Sequence, residues 1–431
     1  MSDASHRAAM QLGKPVRGFK WIRGIRAEAP LCSRRKVPRC FITPAGSPPS
    51  GTVSKLGRRH SLGVRIASRE TTPRAHVTQH VDVHPNAATP RRVSCGEVRG
   101  EKEQSAALGR PRVSFIAWTE SSARAHEVAR ALGGEACALY KLRIVWKPLV
   151  PLRYLLNAVS TCIYLLSRRP RAVIVTNPPI FPGLIVLPYC IATRAPLLLD
   201  SHPSAFGEAP MAKWTAGIHA LLARRAATTM VTVPELAEIV AAWGGRADIV
   251  HEAPPGRRSA PASPLSGRPR ILYVGRFASD EPTAEVVEAA RLVSGADVLI
   301  TGDVRKCPAL LLKSAPANVI FTGFLEGHDY DRALERADII MVLTRHPLAV
   351  NRGACEAVYF ERPLIISALP AMIPLFPYAV SVNNDSADIT RGIQSAIEHH
   401  PELVSACPRA RALQEQRWQQ QLDRLRELMS C

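Results

Sequence analysis

The feature that most constrains this 431-residue chain is an alternation that runs through it twice. From Pro111 onward, short apolar runs recur, each followed by a stretch with helical spacing, and one proline-rich segment interrupts the series. Continuous apolar runs of four to six residues suit strands buried on both faces, which means a parallel sheet covered by helices. The first series is Val113–Trp118, Ala172–Thr176, Pro196–Leu199, Thr228–Val233 and Asp248–His251. Glu252–Pro269 then holds five prolines and reads as a linker. The second series is Ile271–Val274, Ala296–Ile300, Asn318–Phe321, Ile339–Leu343 and Pro363–Ile366. The expectation is an α/β protein with two doubly wound parallel-sheet domains, 111–251 and 270–400, facing a cleft across the linker 252–269. In the segment 401–431, a helix over about Arg409–Met429 carries Trp418, Leu422, Leu425 and Met429 on one face and is expected to pack across both domains.

The formal charge of +20 invites a nucleic-acid reading, but its distribution argues otherwise. Residues 1–110 carry +14, with basic residues scattered among Pro, Ser, Gly and Thr and no sustained period, so a disordered basic extension is expected there. No apolar run follows the basic residues as in a signal peptide. A nucleic-acid-binding arm would interleave aromatics with the basics, and Phe19, Trp21 and Phe41 do not. No nucleic-acid partner is expected. Ten cysteines spread singly, without a C-x-x-C pair, point to a reducing cytoplasm and to no metal site. His399-His400, at a helix end, reads as surface.

Two stretches raise the question of a membrane. Ala172–Thr193 is uncharged, but Pro178, Pro179, Pro182 and Pro188 fit a strand, a turn and a helix better than a span. Leu152–Leu166 places apolar residues at 152, 155, 156, 159, 163 and 166, flanked by Arg153, Arg168, Arg169 and Arg171. Such a stripe reads first as a core helix, and second as a helix on an anionic membrane surface, giving peripheral contact through 152–171.

Candidate site residues cluster at strand ends. Gly275-Arg276 follows a strand, where glycine admits a ligand to the backbone and arginine clamps phosphate oxygens. Gly302 and Gly323 end the next two strands and suggest one open sheet edge. The run Asn351-Arg352-Gly353 opens a helix whose free amides suit a diphosphate, with Glu356 placed in its first turn to receive ribose hydroxyls. In the first half, Asn177 and the run Asp200-Ser201-His202 leave apolar strands at the cleft edge, where His202 can bond a sugar hydroxyl or move a proton. Asp329-Tyr330-Asp331 spells a D-x-D but reads as helix capping.

Tyr273-Val274-Gly275-Arg276, Ile300-Thr301-Gly302, Val319–Gly323, Ala337-Asp338-Ile339 and Glu356-Ala357-Val358 through Ile366 resemble, in order and spacing, the donor domain of GT-B glycosyltransferases, close to glycosyltransferase family 4. Asn177-Pro178-Pro179 and Asp200-Ser201-His202 are similar to the acceptor domain, so the resemblance spans Pro111 to Met429. It implies two Rossmann-like domains and transfer of a sugar from a nucleotide diphosphate sugar to a glycan or lipid-linked hydroxyl. It further implies retention of anomeric configuration, no metal or other cofactor, and work in the cytoplasm, at the inner face of the membrane. By the same resemblance Arg276 holds the diphosphate and Glu356 the ribose. Asn351–Gly353 cradle phosphate, Gly323 lies against the base, and His202 faces the sugar. Two positions depart from the pattern. The first glutamate of the E-x7-E motif is Leu348, and the lysine expected after Gly-Arg is missing from Phe277–Pro282, leaving Arg345, Arg352 and Lys306 as candidate replacements. A catalytically inactive nucleotide-sugar-binding subunit and a GT-B-fold sugar-nucleotide epimerase are the alternatives.

Overall fold

The computed structural model describes residues 112–430 apart from Ser121, 141–148, 208–209 and 256–259. The reading of 1–110 and the middle of the linker lie outside these. The described residues form two six-stranded sheets in one compact unit, parallel throughout.

The first sheet has the order β2-β1-β3-β4-β5-β6, with β1 Val113–Ala117, β2 Glu135–Ala138, β3 Ala172–Asn177, β4 Leu197–Ser201, β5 Thr228–Val231 and β6 Ala247–Ile249. Its helices are α1 Ala123–Ala131, α2 Val150–Arg168, α3 Phe181–Thr193, α4 Pro210–Arg225 and α5 Pro234–Ala242. The second sheet runs β12-β11-β10-β7-β8-β9, from β7 Arg270–Tyr273, β8 Asp297–Thr301, β9 Val319–Gly323, β10 Ile339–Val342, β11 Leu364–Ser367 and β12 Val380–Val382. Around it lie α6 Thr283–Leu292, α7 Ala309–Ser314, α8 Gly327–Arg336, α9 Arg352–Tyr359, α10 Ser386–Glu398 and α11 His400–Ser430.

The sheets form because their central strands are apolar on both faces. Phe115, Ile116, Ile174, Leu198 and Leu199 are fully buried in the first, and Ile271, Ile340, Met341 and Ile365 in the second. α11 ties the halves together. Trp418, Leu422 and Leu425 sink into the first half's core beside Phe115 and Ile174, while Gln414 reaches Cys355 of α9 and Arg411 bonds the Tyr359 carbonyl. It begins nine residues before the expected start, and Pro408 lies inside it.

Three sequence expectations are corrected here. α2 is a helix, but its apolar stripe faces outward: Leu152, Leu155, Val159, Ile163 and Leu166 are exposed. The inward side sets Leu165 and Ala158 into the first half's core and carries a row of polar groups beside them. Thr161 accepts a hydrogen bond from the buried Trp118 Nε1 at 3.0 Å, Tyr164 donates to Glu135 at 2.6 Å, and Asn157 is buried. These partners decide which side turns in. His400 is buried, not surface, with Nε2 3.2 Å from the Asp338 carbonyl. Asp329 lies within the first turn of α8 beside Arg332 and does not cap it, while Tyr330 turns inward to Glu356.

Candidate functional site

The carboxyl ends of both sheets meet, and an ionic chain joins them. Arg124, in the first turn of α1, grips Asp200 through Nε (3.0 and 3.1 Å) and Nη2 (3.0 Å). Its other N–H groups donate to the carbonyls of Val250 and His251 and to Glu252 Oε1. Burial opposes the guanidinium's charge, but Asp200 and Glu252 outweigh it and raise its pKa. Glu252 also accepts from Arg352 Nη1 at 3.4 Å. Arg352 then donates to Glu127 of α1 at 2.9 Å and to Glu356 at 2.6 Å, and the second oxygen of Glu356 accepts from Tyr330 at 2.7 Å.

This chain reassigns several expected contacts. Asp200 does not leave the sheet; it sits inside β4, paired in register with Thr176, and is neutralised by Arg124. Arg352 is held by three glutamates. Glu356 lies in the second turn of α9, because the helix begins at Arg352, so the acid four residues on meets that arginine rather than the helix terminus. Burial raises the Glu127 pKa, an effect Arg352 only partly offsets, and its Oε2 has no hydrogen-bond partner among the described residues. Arg124, Glu127, Glu252 and Tyr330 were not singled out from sequence. The i,i+3 pair Arg124/Glu127 after the first strand was the signal available.

Asn177 is buried below the edge and donates to Ser201 Oγ at 3.3 Å, which in turn lies 2.9 Å from His219 Nε2. Burial lowers the His219 pKa to about 4, so the ring is neutral. His202, the next residue along, is exposed at the edge with Nδ1 3.3 Å from Ser204 Oγ. Desolvation lowers its pKa; Asp200 opposes this, and the charges of Arg124 and Arg276 add to it. Arg276 belongs to the second half, so the two loops face one another.

On that second half, β7, β8 and β9 are neighbours, which brings Gly275, Gly302 and Gly323 to one edge. They are not equally open. Gly302 has φ +122°, and a Cβ there would meet Phe277 at 2.9 Å and the backbone of Arg276 and Gly275 at 3.0 Å, so its glycine seats the Arg276 loop. Gly323, at φ +78°, has no neighbour in the way. The Arg276 loop is fastened by Glu281, whose Oε2 accepts from the amides of Arg276 (2.9 Å) and Ala278 (3.1 Å) and whose Oε1 accepts from Arg276 Nε (3.3 Å). The Arg276 side chain is still 71% exposed, against 33% for Arg352 and 15% for Arg124. It is the open guanidinium of the three. Arg345 pairs with Glu285 at 2.6 Å, and Lys306 is exposed on a short 3-10 turn after β8.

Asn351 precedes α9 without a side-chain cap, and Gly353 lets the first turn approach β7, where a Cβ would lie 2.9 Å from Val274. Leu348 and Val350 pack against the first half's core. The position where the resembling motif carries a carboxylate is therefore part of an apolar seam between the halves.

No protein-family model and no curated protein sequence matches this chain. Solved structures do match. A sucrose-phosphate synthase from Thermosynechococcus elongatus is 15% identical with a TM-score of 0.56, over 77% of this chain and 91% of that one. Anabaena HepE, in complex with UDP and glucose, is 12% identical with a TM-score of 0.55, over 74% and 99%. A glycosyltransferase from Rickettsia africae is 13% identical with a TM-score of 0.51, over 74% and 98%. At these identities the likeness concerns the fold, and the fold is GT-B.

Proposed function

We propose that this chain is a glycosyltransferase that moves a sugar from a nucleotide diphosphate sugar to the hydroxyl of a glycan or lipid-linked acceptor. In this reading it retains anomeric configuration, requires no metal or other cofactor, and works in the cytoplasm at the inner face of a membrane. The observation that carries it is the open Arg276 guanidinium, held on a glycine-seated loop at the carboxyl edge of the second sheet and near enough to His202 of the first for its charge to act on that ring. Arg276 and the uncapped amides of α9 stabilise the departing diphosphate, Gly323 leaves room for the base, and His202 orients the sugar. HepE, which shares the fold, is described with UDP-glucose. UDP-glucose is therefore the first donor to try.

A specific observation also favours a nucleotide-sugar-binding subunit without turnover. Glu356 is engaged by Arg352 and Tyr330, and Glu281 already pairs with Arg276.

The test is thermal unfolding with a panel of nucleotide sugars, because a ligand of the native state raises its midpoint. Stabilisation by one of them, lost in Arg276→Ala, is expected. Stabilisation by none, or the same stabilisation in Arg276→Ala, removes the reading. Binding without hydrolysis or transfer to any acceptor selects the inactive subunit.

A further inference from the structure

The outward stripe of α2 is unusual because it lies exposed rather than packed into its own half's core. Leu152, Leu155, Val159, Ile163 and Leu166 each leave 43% to 68% of their surface open along about 21 Å of helix, at 1.5 Å per residue. Beside its carboxyl half, α2 and α3 enclose a groove of about 790 Å³, floored by Leu165, Ile185 and Tyr189. Arg169, Arg171 and Arg194 stand exposed at the groove's rim. Ile191 of α3 continues the apolar face.

The charge around this face is one-sided. Residues 136–199 contain eight Lys and Arg and not one Asp or Glu, whereas the rest of the chain from 111 onward sums to −2, and Glu135, the acid that does meet α2, is already paired with Arg168 and Tyr164. A second copy of the same face would bring like charge against like charge. What fits is a surface that is aliphatic inside and anionic at its boundary, with arginines at both ends of the stripe laying their stems on it and their heads in its headgroups.

We infer that α2, with the α2–α3 groove, is the docking surface of this protein on an anionic lipid bilayer, lipid phosphates lying between Arg169, Arg171 and Arg194. The stripe starts at the cleft: Trp118, which follows β1, packs against Tyr154 at 5.6 Å. Its other end lies beneath the amino ends of β3 and β4. A bilayer on this face runs alongside the mouth of the cleft, and a lipid-linked acceptor reaches it sideways. The inference deepens the membrane-side placement above but rests on the exposed face, so vesicle binding and nucleotide binding succeed or fail independently.

The experiment is co-sedimentation of the full chain with vesicles of phosphatidylglycerol and phosphatidylcholine, and with phosphatidylcholine alone. Because residues 1–110 carry +14, binding is compared at about 0.15 M and about 0.5 M NaCl, where exposed charges are strongly screened. Leu155→Asp/Ile163→Asp is the deciding variant, with Leu155→Ser/Ile163→Ser as the milder form should the aspartates disturb folding. Wild type is expected on anionic vesicles at both salts, and the variant is expected to partition at least about tenfold less at high salt with an unchanged unfolding midpoint. Equal partitioning of the two, or no binding of wild type to anionic vesicles, overturns the inference. So does a wild-type dimer that the variant turns into monomer without any change on vesicles.

Discussion

Replacing Arg352 by alanine exposes what the ionic chain contributes. The substitution leaves Glu127 and Glu356 without their shared cation and Glu252 with Arg124 alone. Removing one partner of a fully buried pair costs about 3–5 kcal/mol, and Arg352 is a third exposed, so about 2–4 kcal/mol is expected near pH 7. The sign of the pH dependence follows from Glu127. Its folded-state pKa is already raised by burial, and Arg352 is what pulls it back. Without that arginine the folded state binds a proton more readily still, so the variant's stability falls as pH rises through the folded pKa and recovers on acidification. The penalty is therefore expected to be smaller near pH 5 than near pH 7. The assay is urea unfolding followed by tryptophan fluorescence at both pH values. A loss under about 0.5 kcal/mol, or an equal loss at both pH values, would refute the reasoning.

Two further outcomes are expected. Gly302→Ala places a Cβ against the Arg276 loop at a φ unfavourable to side chains, and should lower stability by about 1–3 kcal/mol in denaturant melts while weakening nucleotide binding; wild-type values for both would mean the loop is not seated there. Burial lowers the pKa of His219 to about 4 from the usual 6.5, so the folded state resists a proton the unfolded chain accepts. Stability is therefore expected to fall between about pH 6.5 and about pH 4, and His219→Gln to flatten that fall, as read from urea midpoints across the range.

The two sheets were legible because strands such as β3 and β4 are apolar on both faces and mark themselves without context. β2 and β12 went unread because Glu135–Ala138 and Val380–Val382 are short, half-buried and built mostly of small side chains or broken by serine, leaving no run of large apolar residues to detect. In α2 the period reveals a face but not which way it points. That is decided by Trp118 and Glu135, which lie far back in the chain. The candidate site divides similarly. Glycines at strand ends announce themselves, as Gly302 and Gly323 do, because local geometry requires them. Arg124 with Asp200 and Glu252, or Arg352 with Glu127, meet across 76 to 225 residues, and the i,i+3 spacing of Arg124 and Glu127 after the first strand is the one local hint, shared with many surface helices. His400 was misread for the same reason, since its burial depends on the segment at Asp338, just before β10.

The chain passes between the two halves at two described places, and they lie side by side. One is the segment after His251; the other is the turn of α11 between Gln414, which touches Cys355, and Trp418, which sits in the first half's core. Gln421 fastens the first to the second, accepting from the His251 amide at 2.9 Å and meeting its ring at 2.8 Å. Two adjacent crossings leave the halves a rotation about one line and little sliding. Arg124, Glu252 and Arg352 stand beside these crossings, so the ionic chain lies where a relative rotation of the halves would displace it least. No described crossing joins the loops of Arg276 and His202, so the same rotation would act first on the space between them.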